Sequence, residues 1–598
     1  LCAGHVLGFI AKSVKIRLFF NKNLVIEMPV LRITKNTDRH DVLTVLLEFV
    51  KQVAAALVAK APFGPVGGRE RRNGRLIGKG NFKLTSDIGL TATLGWNIND
   101  QNRRTNSADI TGFLVNARKP TADLNTAAEN STFNNTLRYV RSNRGYGVLA
   151  FDLYDDLFVS VSGAVEASST FKGTFFYPAV DVAWQFTDLV TGGPLSFGKL
   201  RAAYGKVGVS PPPHISQTLA ESGFTYSTYS DPLDISLFGG GFRIDDDRGN
   251  PDLEPEFKTE WEIGTDLRFF NDDLSLGMTY YQNEITGMII AVELTPSFGY
   301  DTQFDNAASM ENKGFELEAD YSILKRKDLN VGIFANFSSN KNEVTDLAGT
   351  ETIDLSGASV SSRAIVGHSL GVLYGTGSQT NPDGSYILDD NGFPQITLSP
   401  IVLGDPNPDW RGALGARLNW KGFNLNVLFE HSQGGDFSPR TQWVLRRFGT
   451  TAETANRITL TQDIVNYAGN TISAGETVRG NIENFGGGDV LLDESWYRTG
   501  IGGGFGDNQA YNFSLFDATW TRLREITLGY TINSQTFQDK TKLGSISFAA
   551  TGRNLFLWDD LKGVDPEVNQ IGVSNGFGLD YFTNPSTRSF LFSVTVNY

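Results

Sequence analysis

Cysteine is all but missing from this sequence. Cys2 is the single one in 598 residues, which excludes a disulfide framework and a cysteine-built metal site. Histidine is nearly as scarce, with five residues, and His214, His368 and His431 stand far apart without ligand spacing. An excess of basic charge is missing too. The 52 Lys+Arg against 66 Asp+Glu leave a net charge of −14, which argues against general binding of nucleic acid through its phosphates. No stretch reaches the roughly eighteen uncharged apolar residues that a membrane-spanning helix needs. What the chain does have is glycine (64), phenylalanine (42) and tyrosine (19).

Charge is unevenly distributed. Residues 1–80 hold fourteen Lys/Arg against five Asp/Glu, leaving 38 against 61 for residues 81–598. The shift marks an expected boundary at 80/81. In "DVLTVLLEFVKQVAAALVAK" (41–60), Val42, Val45, Leu46, Phe49, Val53 and Leu57 share one helical face while Glu48, Lys51 and Lys60 interrupt it, the pattern of an amphipathic helix. Leu1 is not an initiator Met, and no charged start, apolar run and small-residue cleavage site follow in order. The chain is therefore expected to begin inside a longer product or behind a foreign leader.

From residue 82 the pattern changes to a period of two. In "FKLTSDIGLTATLGWNI" (82–98), Phe82, Leu84, Ile88, Leu90, Ala92, Leu94, Trp96 and Ile98 share one face and polar residues the other. Comparable runs at 145–154, 157–167, 175–187, 199–207, 259–270, 274–286, 314–324, 329–339, 411–420, 423–432, 519–532, 543–556 and 586–598 bring the count to about fourteen strands, with no convincing helix among them. Turn-type joints at Asp155-Asp156, 271–273, 325–328 and Lys421-Gly422 alternate with long connections such as 99–144, 208–258, 340–410 and 433–518. Short joints at one end and long ones at the other are the habit of a transmembrane β-barrel, with short periplasmic turns and long outer loops. On that parity the last strand runs inward, and Tyr598 ends at the periplasmic rim.

Side-chain chemistry agrees. Phe315, Leu317, Ala319, Tyr321 and Ile323 oppose Glu316, Glu318 and Asp320, while Trp261, Ile263, Leu267 and Phe269 oppose Glu260, Glu262, Asp266 and Arg268. Three carboxylates on one strand face are costly in a dry core but not in a hydrated lumen. Trp96, Tyr154, Tyr281, Trp420 and Tyr530, near strand ends, suit an interfacial girdle. The expected fold is an all-β, antiparallel transmembrane barrel.

The stretches "GNPDLEPEFKTEWEIGTDLRFFNDDLSLGMTYYQNEITGMI" (249–289), "ENKGFELEADY" (311–321), "GDPNPDWRG" (404–412), "RLREITLGYTI" (522–532), "GRNLFLWDDLKGVDPEV" (552–568) and the terminal strand occur in the order found in a known family. Over residues 80–598 the chain resembles the SusC/RagA class of TonB-dependent outer-membrane transporters. The resemblance implies import of glycans or peptides across the outer membrane of a Bacteroidota-like bacterium. It also implies a SusD-like surface lipoprotein as partner, energy delivered through TonB, and insertion by the barrel assembly machinery. Members carry a TonB-contacting segment and a plug domain ahead of a barrel of roughly 22 strands; residues 1–80 match neither, so the chain is expected to be the barrel portion without its plug. A passive porin-like or structural barrel is the alternative, and a secreted all-β carbohydrate-binding protein or glycosidase a third reading.

Reactive motifs are weak. "GIGGGFG" (500–506) lacks the flanking strand and helix of a phosphate cradle. Asp245, Asp246 and Asp247, and separately Asp383, Asp389, Asp390 and Asn391, offer oxygen ligands for Ca²⁺ without the EF-hand spacing, so solvated loop carboxylates are the plainer reading. No nucleophile with a base and orienting partner stands out, and neither enzyme activity nor a cofactor is expected. Ligand-contact candidates are the loop aromatics Tyr226, Tyr229, Trp443, Trp496 and Tyr497, with structural pinning of the loops as the competing role. The closing "RSFLFSVTVNY" (588–598) puts Phe590, Phe592, Val594, Val596 and Tyr598 on one face, and its final aromatic resembles the C-terminal signal read during outer-membrane assembly.

Overall fold

A computed structural model of the chain describes residues 14–20, 24–27, 70–110, 131–190, 192–222, 242–357, 359–500, 502, 509–561, 563–570 and 576–598. Cys2, the helix expected at 41–60, Tyr226, Tyr229 and most of the glycine-rich stretch 500–506 lie outside them. The long strands, numbered in chain order, are β1 (Val14–Phe20), β2 (Leu24–Glu27), β3 (Glu70–Lys83), β4 (Ile88–Ile110), β5 (Ser131–Leu153), β6 (Leu157–Ser168), β7 (Phe175–Gln185), β8 (Leu195–Val209) and β9 (Glu256–Phe269). There follow β10 (Leu274–Glu293), β11 (Thr302–Arg326), β12 (Leu329–Asp346), β13 (Trp410–Trp420), β14 (Phe423–Gln433), β15 (Trp520–Ile532), β16 (Ser545–Asp559) and β17 (Ser589–Asn597). The chain divides into two compact units, one of residues 1–185, 201–261 and 285–307, the other of 186–200, 262–284 and 308–598.

In the first unit, β3 to β7 form an antiparallel meander. The run 82–98, expected as one strand, is a hairpin. Phe82 pairs with Leu90 across a turn at 84–87, in which the Leu84 amide donates to Ile88 O at 2.9 Å and the Asp87 amide to Thr85 Oγ1 at 3.2 Å. The four-residue turn keeps the alternation in phase, which hid it. Strands β4 and β5 run on to Ile110 and back from Ser131, well into the expected loop 99–144, because beyond the apolar band neither face needs apolar residues. The motif "GNPDLEPE" is tied down locally. Asn250 Nδ2 donates to Phe304 O and Asp305 Oδ1, both at 3.1 Å, and Asn306 Nδ2 to Glu254 O at 3.0 Å and Gly287 O at 2.8 Å.

In the second unit, β11 to β17 pair in sequence, antiparallel throughout. The joints 327–328, 421–422 and 533–544 alternate with the connections 347–409, 434–519 and 560–588. In an up-and-down meander alternate connections share an end, so long and short are segregated as expected. Lys421 and Gly422 both have positive φ, 47° and 91°, the demand of a two-residue hairpin turn whose twist matches the strands. Gly422 is obligatory there, since a Cβ would sit 2.6 Å from Thr531 O.

Burial is inverted relative to a soluble β protein. Leu414 and Leu528, mid-strand and apolar, are 57% and 56% exposed. All but one of the largest fully buried side chains, including Trp443, Phe393, Phe437, Leu373, Leu491 and Leu579, belong instead to the connections, the exception being Val344 near the end of β12. Strands with lipid on one side and water on the other have no protein core to fill, so the packed core of this unit lies in its outer connections. Two short helices occur there and in a turn, α1 (Arg440–Arg447) and α2 (Gln535–Thr541); Ser534 caps α2 by accepting the Phe537 amide at 3.3 Å.

Candidate functional site

The polar strand faces of the second unit build the first part of the site. Arg417 on β13 grips Asp320 on β11 through two hydrogen bonds of 2.7 and 2.5 Å, and Lys199 on β8 meets Asp266 on β9 at 3.0 Å. The Arg268 guanidinium lies 5.0 Å from the centre of the Phe197 ring. These groups, with Glu318 and Asn336, border a cavity of about 670 Å³. Paired, half-exposed charges contribute little stability, ~0–1 kcal/mol a pair, but keep the wall wet and polar. Nearby a ladder of amides crosses three strands. Tyr281 Oη donates to Asn340 Oδ1 at 3.0 Å, Asn340 Nδ2 to Asn312 Oδ1 at 3.3 Å and Asn312 Nδ2 to Asn283 Oδ1 at 3.0 Å. Tyr281 thus faces the polar side rather than the expected girdle. At the short-turn end the girdle is met by Trp420, Phe423 and Tyr530, exposed and in ring contact at 6.3 and 4.4 Å.

The outer connections build the second part. Trp443, on α1, is 1% exposed, lies against Tyr511 with centroids 4.9 Å apart and donates its Nε1–H to Ser514 O at 3.0 Å. Trp496 is packed by Phe393 (5.6 Å), Phe485 (5.5 Å) and Phe513 (5.4 Å). Both indoles are therefore buried against protein rings. Tyr497 differs. It is half-buried on the wall of a cavity of about 490 Å³, and its Oη accepts from Asn481 Nδ2 at 3.2 Å; burial pushes its phenol pKa up.

A buried ionic network was not foreseen from the sequence. Arg522 on β15 pairs with Asp565 at 2.6 Å and Glu567 at 2.9 Å, and Arg524 binds Glu567 at 2.7 Å and Glu430 at 2.5 Å. It pins the connection 560–588 to β15. Its residues other than Glu430, which is on β14, stand in the motifs "RLREI" and "VDPEV", so the signal was present in the sequence, but their pairing was not.

The acidic stretches act as turn caps. Asp245 Oδ1 accepts the Asp247 amide at 3.3 Å, Asp383 Oδ1 the Ser385 amide at 3.0 Å, and Asp389 Oδ1 the Asn391 and Phe393 amides at 2.9 Å each. Among the described residues no group of three or more His, Cys, Asp or Glu is arranged to hold a metal ion. Strand β17 is exposed along its whole length. Asn597 pairs with Ser545 and accepts the Gly544 amide at 2.7 Å, which puts Tyr598 at the end of the short joint 533–544.

The family description "TonB dependent receptor-like, beta-barrel" matches residues 59–445. The chain belongs to the TonB-dependent receptor β-barrel family. TonB-dependent receptor P3 of Formosa agariphila is 23% identical over 456 residues, 71% of this chain and 42% of the relative. TonB-dependent receptor SusC of Bacteroides thetaiotaomicron is 23% identical over 365 residues, 58% of this chain and 32% of the relative. The chain spans half or less of the length of the curated relatives it matches. The RagAB peptide importer in its "closed-closed" state superposes with a TM-score of 0.66 at 18% identity, covering 89% of this chain and 56% of that one. The fold is that of the TonB-dependent outer-membrane barrels, and the protein is an outer-membrane protein.

Proposed function

We propose that this chain is the barrel portion of an outer-membrane nutrient importer for glycans or peptides, driven through TonB and working with a SusD-like surface lipoprotein. The observation that carries the reading is the inverted packing of the second unit: apolar side chains exposed on the lipid side, ion-paired charges on the other, and the packed hydrophobic clusters in the long connections. Such a wall supports gated passage rather than covalent catalysis. Ligand is caught by the outer connections, with Tyr497 the described aromatic candidate that borders a cavity. Energy coupling belongs to a plug and TonB-contacting segment; the barrel stretch begins before the expected boundary at 80/81, since the family description matches from residue 59 and β3 (Glu70–Lys83) pairs with β4.

Outer-membrane fractionation with heat-dependent gel mobility tests the barrel, and recovery as a soluble monomer without detergent sinks it. Deleting the gene should abolish growth on one class of oligomer, peptide or glycan, to the same extent as deleting TonB. Uptake that persists without TonB would instead identify a passive pore.

A further inference from the structure

The connection 434–519 encloses the cavity of about 490 Å³ on which Tyr497 stands, a volume within the range of small-molecule sites, about 300–1,000 Å³. Part of its wall is aliphatic, formed by Ile472 and Val478, which pack in turn on the fully buried Leu491. Arg446, Arg447, Arg479 and Arg498 line the same cavity, with two acidic residues, Asp493 and Glu494. Most of this charge is accounted for inside the protein. Arg446 is paired with Glu453 and Arg498 with Glu494 at 2.8 Å. Asp493 accepts from Asn466 Nδ2 at 2.7 Å and from the Ser495 amide at 2.9 Å.

Arg479 is different. Its Nη2–H donates to Gly449 O at 2.6 Å and its Nε–H to Thr454 O. Backbone carbonyls thus fix the plane of the guanidinium while leaving its charge without a carboxylate partner among the described residues. A guanidinium held in one orientation is preorganised for a two-pronged bond to a planar oxyanion, and beside it the aliphatic wall would strand the hydroxyls of a sugar.

We propose that this cavity is a recognition pocket for a compact aliphatic carboxylate, its oxyanion seated on Arg479 and its branched chain on Ile472 and Val478. That chemistry is shared by the free C-terminus of a short peptide ending in an apolar residue and by a free branched acid. Calling the occupant cargo rests on the importer reading; the pocket itself does not.

Calorimetric titration of the full chain in detergent separates the possibilities, with N-acetyl-Ala-Leu, its C-terminal amide, 4-methylpentanoate and a trimer of galacturonate as probes. The free carboxylate of the dipeptide or of the simple acid should bind, and the amide about ten- to a hundred-fold more weakly. Binding by both identifies the carboxylate with its branched chain as the unit recognised, and binding by the dipeptide alone a peptide terminus. Arg479→Gln should remove the preference for the acid over the amide, and Arg479→Lys should keep part of it. Because Arg479→Gln also loses two loop hydrogen bonds, Ile472→Asp serves as a second variant that leaves Arg479 in place and should repel the carboxylate. Limited proteolysis of 434–519 checks that both loops stay folded.

Equal binding of acid and amide, tighter binding of the galacturonate trimer, or no binding by any probe overturns the proposal. Uptake measured separately in cells tells the two readings apart. A chain that imports but fails these titrations loses the pocket alone, and one that binds but does not import loses the importer reading alone.

Discussion

Arg522 and Asp565 meet at 2.6 Å with side chains only 3% and 6% exposed. Burial by itself would push the Asp565 carboxyl up, but the Ser586 hydroxyl and amide, the Glu567 amide and Arg522 outweigh it and hold the group below the ordinary carboxylate range. Removing one member of a buried pair strands the other, at a cost of about 3–5 kcal/mol. Arg522→Leu should therefore release the connection 560–588, read as new protease cleavage there while the barrel keeps its heat-dependent mobility. The folded pKa is depressed, so the pair's contribution is complete above the ordinary carboxylate value of about 3.9 and is lost as pH falls through the lower folded value. Protease resistance of 560–588 should accordingly stay flat from neutral pH down to the ordinary carboxylate range and fall only in stronger acid. In Asp565→Asn that acid step should vanish.

Asp436 has the opposite sign. It opens the segment Asp436–Pro439, outside the spanning strands, and accepts the Asp405 amide at 2.8 Å. Burial, then repulsion from Asp405 and Asp517, raises its pKa. A raised carboxylate pKa means that ionisation opposes folding above the folded pKa, and that this opposition fades as pH falls toward the unfolded value. Asp436→Asn keeps an acceptor for the Asp405 amide and removes the charge. It should make the outer connections more resistant to heat at neutral pH, with the gain shrinking as the medium is acidified. Equal melting of variant and parent at neutral pH would contradict this.

Gly314 and Tyr281 fit as socket and plate. A Cβ on Gly314 would come within 2.3 Å of the Tyr281 ring, so Gly314→Ala should displace the ring and break its bond to Asn340. Overpacking of this kind costs about 1–3 kcal/mol. Tyr281→Ala in the same chain should recover most of the loss, leaving the double variant closer to the parent than Gly314→Ala alone. Additive effects of the two changes would show that the ring and the glycine do not interact.

Strand positions were legible in the sequence wherever lipid imposed an apolar face. The runs at 411–420, 423–432 and 519–532 fall within a residue or so of β13, β14 and β15. Legibility ended where that constraint ends. The upper parts of β4 and β5, over residues 99–106 and 135–144, carry Asn, Arg, Asp and Ser without a period-two apolar pattern and read as loop, because a strand beyond the apolar band needs no alternation. The hairpin at 84–87 was hidden for the converse reason, since its turn preserves the phase of the flanking strands. In the candidate site, Trp443 and Trp496 were visible as loop aromatics, but sequence cannot distinguish an indole offered to a ligand from one stacked on Tyr511 or Phe393. Arg522 and Asp565 stand 43 residues apart in the chain, and only the fold brings them together.

The terminal strand gives the sharpest test of membrane assembly. Val596 pairs with Ile546, Val594 with Phe548 and Phe592 with Ala550, so β17 covers the hydrogen-bonding edge of β16 through the apolar band. Deleting Phe590 to Tyr598 bares that edge, and each backbone group left unpaired in hydrocarbon costs several kcal/mol. The truncated chain should fail to insert and should collect as aggregate or be degraded in the periplasm. Tyr598→Ala keeps the pairing and removes only the terminal aromatic, so it isolates recognition from edge covering. If β17 carries an assembly signal, Tyr598→Ala should slow insertion while leaving the heat stability of the inserted fraction unchanged. If it is only one more strand, the point variant should insert at the parental rate. Normal insertion of the deletion itself would show that β17 is needed neither as an edge nor as an address.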